Sequence, residues 1–138
     1  MDTPKLNKKI LVWVGAVIGN SEGNILYLKR SSNSSWGVGQ WQLPGGKLEW
    51  GEDPVTTLER EVAEETGIKA ENQGLLETYT SHIIAKNTDY HAVQLIYKMK
   101  TKDTKVRISE EHDEFKWMSS EDARKYEYAV GHEKFIKR

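Results

Sequence analysis

The sequence predicts an α+β fold: one domain built on a mixed, largely antiparallel sheet with few helices. Three observations predict it. Short runs rich in β-branched and aromatic residues recur along the chain, separated by Gly, Asn and Pro turns. One segment, 54–66, carries helical periodicity together with helix start and stop signals. Two strand-like runs meet across "KNTD" (86–89) at the spacing of a hairpin.

The 138 residues suffice for one domain with a core and are too few for two ordinary ones. Residues 10–18 read as a buried strand. "GNSEGN" (19–24) is a turn by its Gly and Asn content, and "ILYLKR" (25–30) is the returning strand. A polar, Gly-rich loop over 31–41 leads through a short strand into "LPGG". Pro54 suits the first helical position, with Glu52 and Asp53 favourable at the positive helix end. Gly67 stops the helix after Thr66. Residues 74–85 and 90–100 form the hairpin, and 114–119 a last strand. "SSEDARKYEY" then begins a second helix, with Ser119 or Ser120 as its cap. The domain is expected to span 8–136, with no repeat and no internal linker.

Charge is near balance: Lys plus Arg is 20, Asp plus Glu is 21, and the net charge is −1. That gives no support for a protein that coats a nucleic acid polymer. Cysteine is absent, which excludes a disulfide framework or a thiolate metal site and fits a reducing, cytoplasmic compartment. The apolar run "ILVWVGAVIG" is too short for a membrane span and lacks the flanks of a signal peptide.

Against this balance, one stretch stands out. Between Pro44 and Ile68 seven acidic residues meet two basic ones. On a wheel of about 100° per residue, Val55, Leu58 and Val62 form a core stripe. Glu61 and Glu65 line its edge, roughly 40° apart, and Glu64 lies roughly 60° beyond Glu61. Paired glutamates on a helix are ordinarily a solvated face. Three carboxylates beside a buried seam, however, also make a set of oxygen ligands suited to magnesium. Arg60 lies one turn before Glu64 and within reach of Glu52, where a guanidinium can orient carboxylates.

The spacing decides between the two. From Gly46 the chain reads G, five residues, E52, seven residues, R60, E61, V62, one residue, E64, E65, one residue, G67, I68. In this box, 46–68, the chain resembles the Nudix hydrolases, at every fixed position. Such a match arises by chance roughly once in ten million sequences of this length. The resemblance implies an α/β/α sandwich around a mixed sheet. It also implies hydrolysis of a diphosphate linked to another moiety, usually a nucleoside, with Mg²⁺ as cofactor and Mn²⁺ able to substitute. Glu61, Glu64 and Glu65 are then metal ligands, with the Gly45 carbonyl as a further donor, and Glu52 and Arg60 support the catalytic set.

The resemblance leaves the general base open. Glu64 is the favoured candidate. The alternatives are Glu111, His112 and Glu114, in "SEEHDEF" before the last strand. A lone loop histidine is more often solvated. "EEHDEFKWM" is also similar to the tail of the GDP-mannose hydrolase branch, whose box is degenerate where this one is intact. For the substrate, "GVGQWQLPGGKLEWGE" and "YHAVQLIYKMK" look like the nucleoside triphosphate pyrophosphatase branch. An ADP-ribose or nucleotide-sugar hydrolase and a nucleotide-binding module without activity are the alternatives. Trp36, Trp41 and Tyr90 are candidates to stack on a base, although Trp41 and Trp117 serve as well for core packing. Lys98, Lys100, Lys102, Lys105 and Arg107 could steer polyphosphate. The strand around 75–85 could support a homodimer.

Overall fold

The computed structural model describes residues 5–34 and 37–129. Seven strands form one sheet in the order β3-β2-β1-β6-β5, with β4 added to β1 and β7 added to β2. Their ranges are β1 Asn7–Gly19, β2 Ile25–Arg30, β3 Trp41–Gln42, β4 Gly45–Lys47, β5 Glu71–Ala85, β6 Thr88–Lys100 and β7 His112–Met118. The helices are α1, Pro54–Thr66, and α2, Ser120–Ala123. The α+β class is as the sequence predicts.

β1 and β6 are parallel and in register from Asn7↔Thr88 to Gly19↔Lys100, while the other pairings are antiparallel. The β5–β6 hairpin closes at Ala85↔Thr88 through Lys86 and Asn87, both at positive φ. Two left-handed residues make the turn whose twist matches that of the strands it joins. β4 was not foreseen. It runs antiparallel to the middle of β1, with Trp13↔Lys47, Val14↔Gly46 and Gly15↔Gly45 as partners.

The strand period of two divides the core between the faces of the sheet. Leu26 and Leu28 join Val14, Ala16, Ile18 and Met99 under α1, which contributes Leu58 and Val62. Tyr27, between those leucines, joins Trp41, Leu43, Ile96, Met118 and Ala123 of α2 on the other face. Each fully buried leucine or isoleucine in these layers stabilises the fold by about 1.5–3 kcal/mol.

α1 begins at Asp53, whose side chain accepts from Thr56 N–H, and ends at Gly67 in the left-handed conformation. Its inward stripe differs from the expected one. Val55 is 37% exposed, while Thr57, Glu65 and Thr66 are buried beside Leu58 and Val62. On the wheel Val55 falls between Val62 and Thr66, so its direction is inward, but it lies in the first turn of the helix and stays 37% exposed.

The second helix is also shorter than expected. Ser119 caps it, accepting from Asp122 N–H, but it stops after one turn. Packing then overrides propensity. Trp41 N–H donates to Glu127 O, and Ala129 N–H donates to Trp41 O, drawing the chain out beside β3. Tyr126 and Tyr128 pack edge-on against Trp41 and Tyr27.

β5 forms one edge of the sheet, with Leu75, Leu76 and Ile84 exposed on it. Among the described residues no helix is long and apolar enough to cross a membrane. Trp36 and the expected boundary at 136 lie outside the described residues.

Candidate active site

The site forms where β4 carries the glycine turn against the flank of α1. Gly45 and Gly46 are required here by close approach. A Cβ at Gly45 would lie 2.3 Å from Val14 O, and one at Gly46 would lie 2.3 Å from the Glu61 carboxyl carbon. Gly51 is needed for its backbone, with φ at +85°. In this packing Gly45 N–H donates to Glu65 Oε1 at 2.7 Å.

The three expected carboxylate ligands sit in three environments. Glu65 is buried, and burial pushes its carboxyl well above the usual range despite the Gly45 hydrogen bond. Glu61 has a side chain 14% exposed. Burial raises its pKa as well, opposed by the hydrogen bond from Arg60. Glu64 is 58% exposed on the outer flank of the helix, 3.4 Å from Arg60 Nη1. Arg60 binds Glu52 bidentately, Nε to Oε2 and Nη2 to Oε1, both at 2.9 Å. Its Nη1 donates to Glu61 Oε1 at 2.8 Å. Glu52 accepts a third bond from Thr57 Oγ1. Held this way, above all by Arg60, the Glu52 carboxyl drops to about 2.

The loop before β7 closes the arrangement. Glu65, Glu111 and His112 each offer a ligand atom, all within 4.8 Å of one another. His112 is buried rather than solvated, and its Nδ1 lies 3.9 Å from Glu65 Oε2. Burial holds the imidazole down to about 4, helped by the Arg30 charge and opposed by Glu111. Glu114 is not brought to the site: it stands across from Lys29, about half exposed, 4.0 Å from Lys116.

A pocket of about 530 Å³ opens over these groups, lined by Glu61, Glu65 and Glu111 on one side. Trp13, Ile83, Tyr90 and Gln94 line the side formed by β1, β5 and β6. That volume falls in the ordinary range for small-molecule sites.

Residues 10–138 match the model of the NUDIX domain family. The chain belongs to this family, a family of pyrophosphohydrolases. It is 35% identical over 111 residues to a MutT-like protein of Streptomyces ambofaciens, covering 80% of this chain and 65% of that one. It is 29% identical over 92 residues to an asymmetrical bis(5'-nucleosyl)-tetraphosphatase of Rattus norvegicus, covering 65% of this chain and 63% of the relative. The chain thus spans about two thirds of the length of these curated relatives. Among solved structures, a MutT protein from Methanosarcina mazei Go1 superposes with a TM-score of 0.80 at 28% identity, covering 96% of this chain and 93% of that one.

Nudix enzymes generally use a divalent metal, and the donors here fit one. Glu61 and Glu65 are neighbouring carboxylates, both withdrawn from water and both raised in pKa, so a cation beside them is what favours their ionised forms. The carboxylate oxygens they offer are ligands for a hard ion.

Of the aromatic residues singled out in the sequence, Tyr90 lines the pocket and, among the described residues, Trp41 and Trp117 do not. Trp41 is 4% exposed and belongs to the core, with Tyr126 edge-on at 5.4 Å. Trp117 packs against the α1-side core. The basic residues of β6 and beyond do not line the pocket; Lys100 and Lys102 border a separate shallow one with Lys69. Sequence reasoning missed Trp13, Arg30, Gln42 and Gln94, all of which line the site. Trp13 was hidden in an apolar run that reads as core. Gln42 did leave a signal, as an amide between Trp41 and Leu43 in an otherwise apolar strand.

Proposed function

We propose that this Nudix domain hydrolyses a phosphoric anhydride bond in a nucleotide, most naturally a nucleoside or deoxynucleoside triphosphate, giving the monophosphate and pyrophosphate. The observation that carries the reading is the pair Glu61 and Glu65, two carboxylates withdrawn from water at the wall of a nucleotide-sized pocket. Glu61, Glu64, Glu65 and the Gly45 carbonyl would hold Mg²⁺, or Mn²⁺ in its place. When bound, the ion supplies charge neutralisation at the phosphates and a more acidic water.

The chain's own residues do the rest. Trp13 and Tyr90 offer aromatic faces to a base. Arg30, Lys47 and Lys86 line the same pocket and supply positive charge for the phosphates. Arg60 holds Glu52 and Glu61 in place. A carboxylate takes the proton of the attacking water, whose oxygen bonds to phosphorus as the bridging P–O bond breaks and pyrophosphate leaves. Glu111 faces the pocket beside Glu65 and takes this role in the present reading; Glu64, on the helix flank, is the alternative.

The tetraphosphatase relative favours a second reading, a dinucleoside polyphosphate as substrate. A phosphate-release screen with Mg²⁺ over NTPs, dNTPs, ADP-ribose, nucleotide sugars and dinucleoside polyphosphates decides between them. Release from triphosphates, abolished by excess EDTA, is the expected result. Full turnover in EDTA would sink the metal-dependent reading. Binding without release from any compound would leave a nucleotide-binding module.

A further inference from the structure

A line of hydrogen-bonding groups crosses the sheet from β2 to α1. Arg30 Nη1 donates to Gln42 Oε1 at 3.1 Å. Gln42 Nε2 lies 2.9 Å from His112 Nε2. His112 Nδ1 lies 3.9 Å from Glu65 Oε2. Gln42 and His112 are each 4% exposed, so solvent offers them little alternative.

The direction of this line follows from donors and acceptors. A guanidinium has N–H donors and no acceptor, so the Gln42 atom facing Arg30 is its carbonyl oxygen. The Gln42 NH₂ therefore faces His112, and an amide NH₂ only donates. The ring nitrogen it meets must be a lone pair. The ring is then neutral, and its one proton sits on Nδ1, facing Glu65.

We infer that Gln42 is a positioning residue: it locks His112 in the Nδ1–H tautomer, so that the ring presents a donor to Glu65 and acts neither as metal ligand nor as general base. Glu65 Oε1 already takes the Gly45 N–H. Its other oxygen is the one that faces His112. The 3.9 Å gap is longer than a hydrogen bond, and among the described residues Nδ1 has no hydrogen-bond partner. A small shift of the carboxylate toward the N–H would bring the two within bonding distance. The carboxylate is then held from two sides, as metal-binding groups commonly are by their outer partners.

By distance alone, Glu65, Glu111 and His112 form a three-ligand cluster. The polarity of the line removes the histidine, because Nε2 is occupied by Gln42 and Nδ1 carries the proton. The donors proposed for the ion, the α1 carboxylates and the Gly45 carbonyl, are then all oxygen, which favours a hard cation over zinc.

The consequence for metal binding rests on the proposed function, whereas the tautomer does not. Nitrogen-15 NMR of the metal-free full chain near neutral pH reads the tautomer directly: a pyridine-type Nε2 and a pyrrole-type Nδ1 at His112 are expected. In Gln42→Leu the lock is gone, so the ring proton shifts toward Nε2. Mn²⁺ affinity, followed by electron paramagnetic resonance, should fall roughly 10-fold or more. A wild-type ring protonated on Nε2 overturns the inference whether or not the variant folds. So does a folded Gln42→Leu whose tautomer and Mn²⁺ affinity are unchanged. Wild type that binds no Mn²⁺ would instead bring down the metal-dependent reading, leaving the tautomer to the spectrum.

Discussion

Arg60 grips Glu52 with two parallel hydrogen bonds of 2.9 Å and reaches Glu61 with a third, while its distance to Glu64 is the long one at 3.4 Å. The guanidinium thus ties the turn before α1 to a partly buried carboxylate within the helix. As an ordinary surface ion pair it would be worth about 0–1 kcal/mol. As the support of Glu61, its loss in Arg60→Ala should weaken metal use roughly 10- to 100-fold with the fold intact. Arg60→Lys should recover only part, since an ammonium cannot fork onto a carboxylate. Turnover against Mg²⁺ concentration checks this, with circular dichroism as the folding control. Three overlapping curves would reduce Arg60 to surface charge.

Gly46 and Glu61 are matched by the same logic. A methyl group at Gly46 would stand 2.3 Å from the Glu61 carboxyl carbon. The obstructed group is the end of a flexible side chain, so Gly46→Ala can relieve the clash by pushing Glu61 aside. The expected outcome is a melting temperature within a few degrees of wild type and a Mn²⁺ affinity lowered about 10-fold or more. Unchanged affinity by isothermal titration calorimetry would show that Glu61 is not a ligand.

Much of this was legible in the sequence, and the reasons differ by element. The caps of α1 were readable because they are local: Asp53, Pro54 and Gly67 act on the backbone within a turn. The carboxylates of the box were readable as a spacing. Burial was harder to read. Val55 has the right helical phase and the wrong turn, and Trp41 has the right chemistry for a base but lies inside the core. Both depend on tertiary packing, which no local pattern encodes. β4 was invisible because three residues, two of them glycine, carry no strand signal. The aromatic wall of the pocket depends on the parallel register of β1 with β6, which sets Trp13 beside Gln94 across a sequence separation of 81.

Trp41 and Tyr90 give that distinction a measurable form. Trp41→Ala removes a buried ring, at about 3–5 kcal/mol of stability, and the thermal melt should show it. Tyr90→Ala takes a half-buried ring from the pocket wall. It should raise KM for a nucleotide several-fold while the melt moves by no more than a few degrees. The reverse pattern, a stable Trp41→Ala with raised KM, would return the tryptophan to the binding site.

Glu65 carries a buried carboxyl whose ionisation bears on stability. Its folded-state pKa is raised by burial, so its contribution is fully present below the unfolded carboxyl value and is lost as pH rises through the folded one. Glu65→Gln keeps an oxygen to accept the Gly45 N–H and removes the buried charge. Metal-free, the variant should melt higher than wild type at pH 8, with the advantage shrinking as pH falls. Mg²⁺-dependent turnover should drop at least about 100-fold, corresponding to roughly 2.7 kcal/mol of transition-state stabilisation. A variant that melts lower than wild type at pH 8 would mean that Glu65 is already compensated without metal.

His112 should show the opposite pH dependence. A histidine titrates near 6.5 in an unfolded chain, while in the fold burial holds it down to about 4. Between those values the unfolded state binds the extra proton and the native state does not. Stability from this group is therefore present above about pH 6.5 and lost as pH falls toward 4. At about 1.4 kcal/mol per pKa unit the loss approaches roughly 3 kcal/mol. Glu65 pulls the other way over part of the range, so the comparison must be made at fixed Glu65. Chemical denaturation of Glu65→Gln and of Glu65→Gln/His112→Asn between pH 4 and 8 isolates the histidine. The single variant should lose stability below about pH 6.5 more steeply than the double variant, and the difference between the two curves is the histidine's share. Parallel curves would mean that His112 charges readily in the folded state, and that the Gln42–His112 contact does not hold the ring neutral.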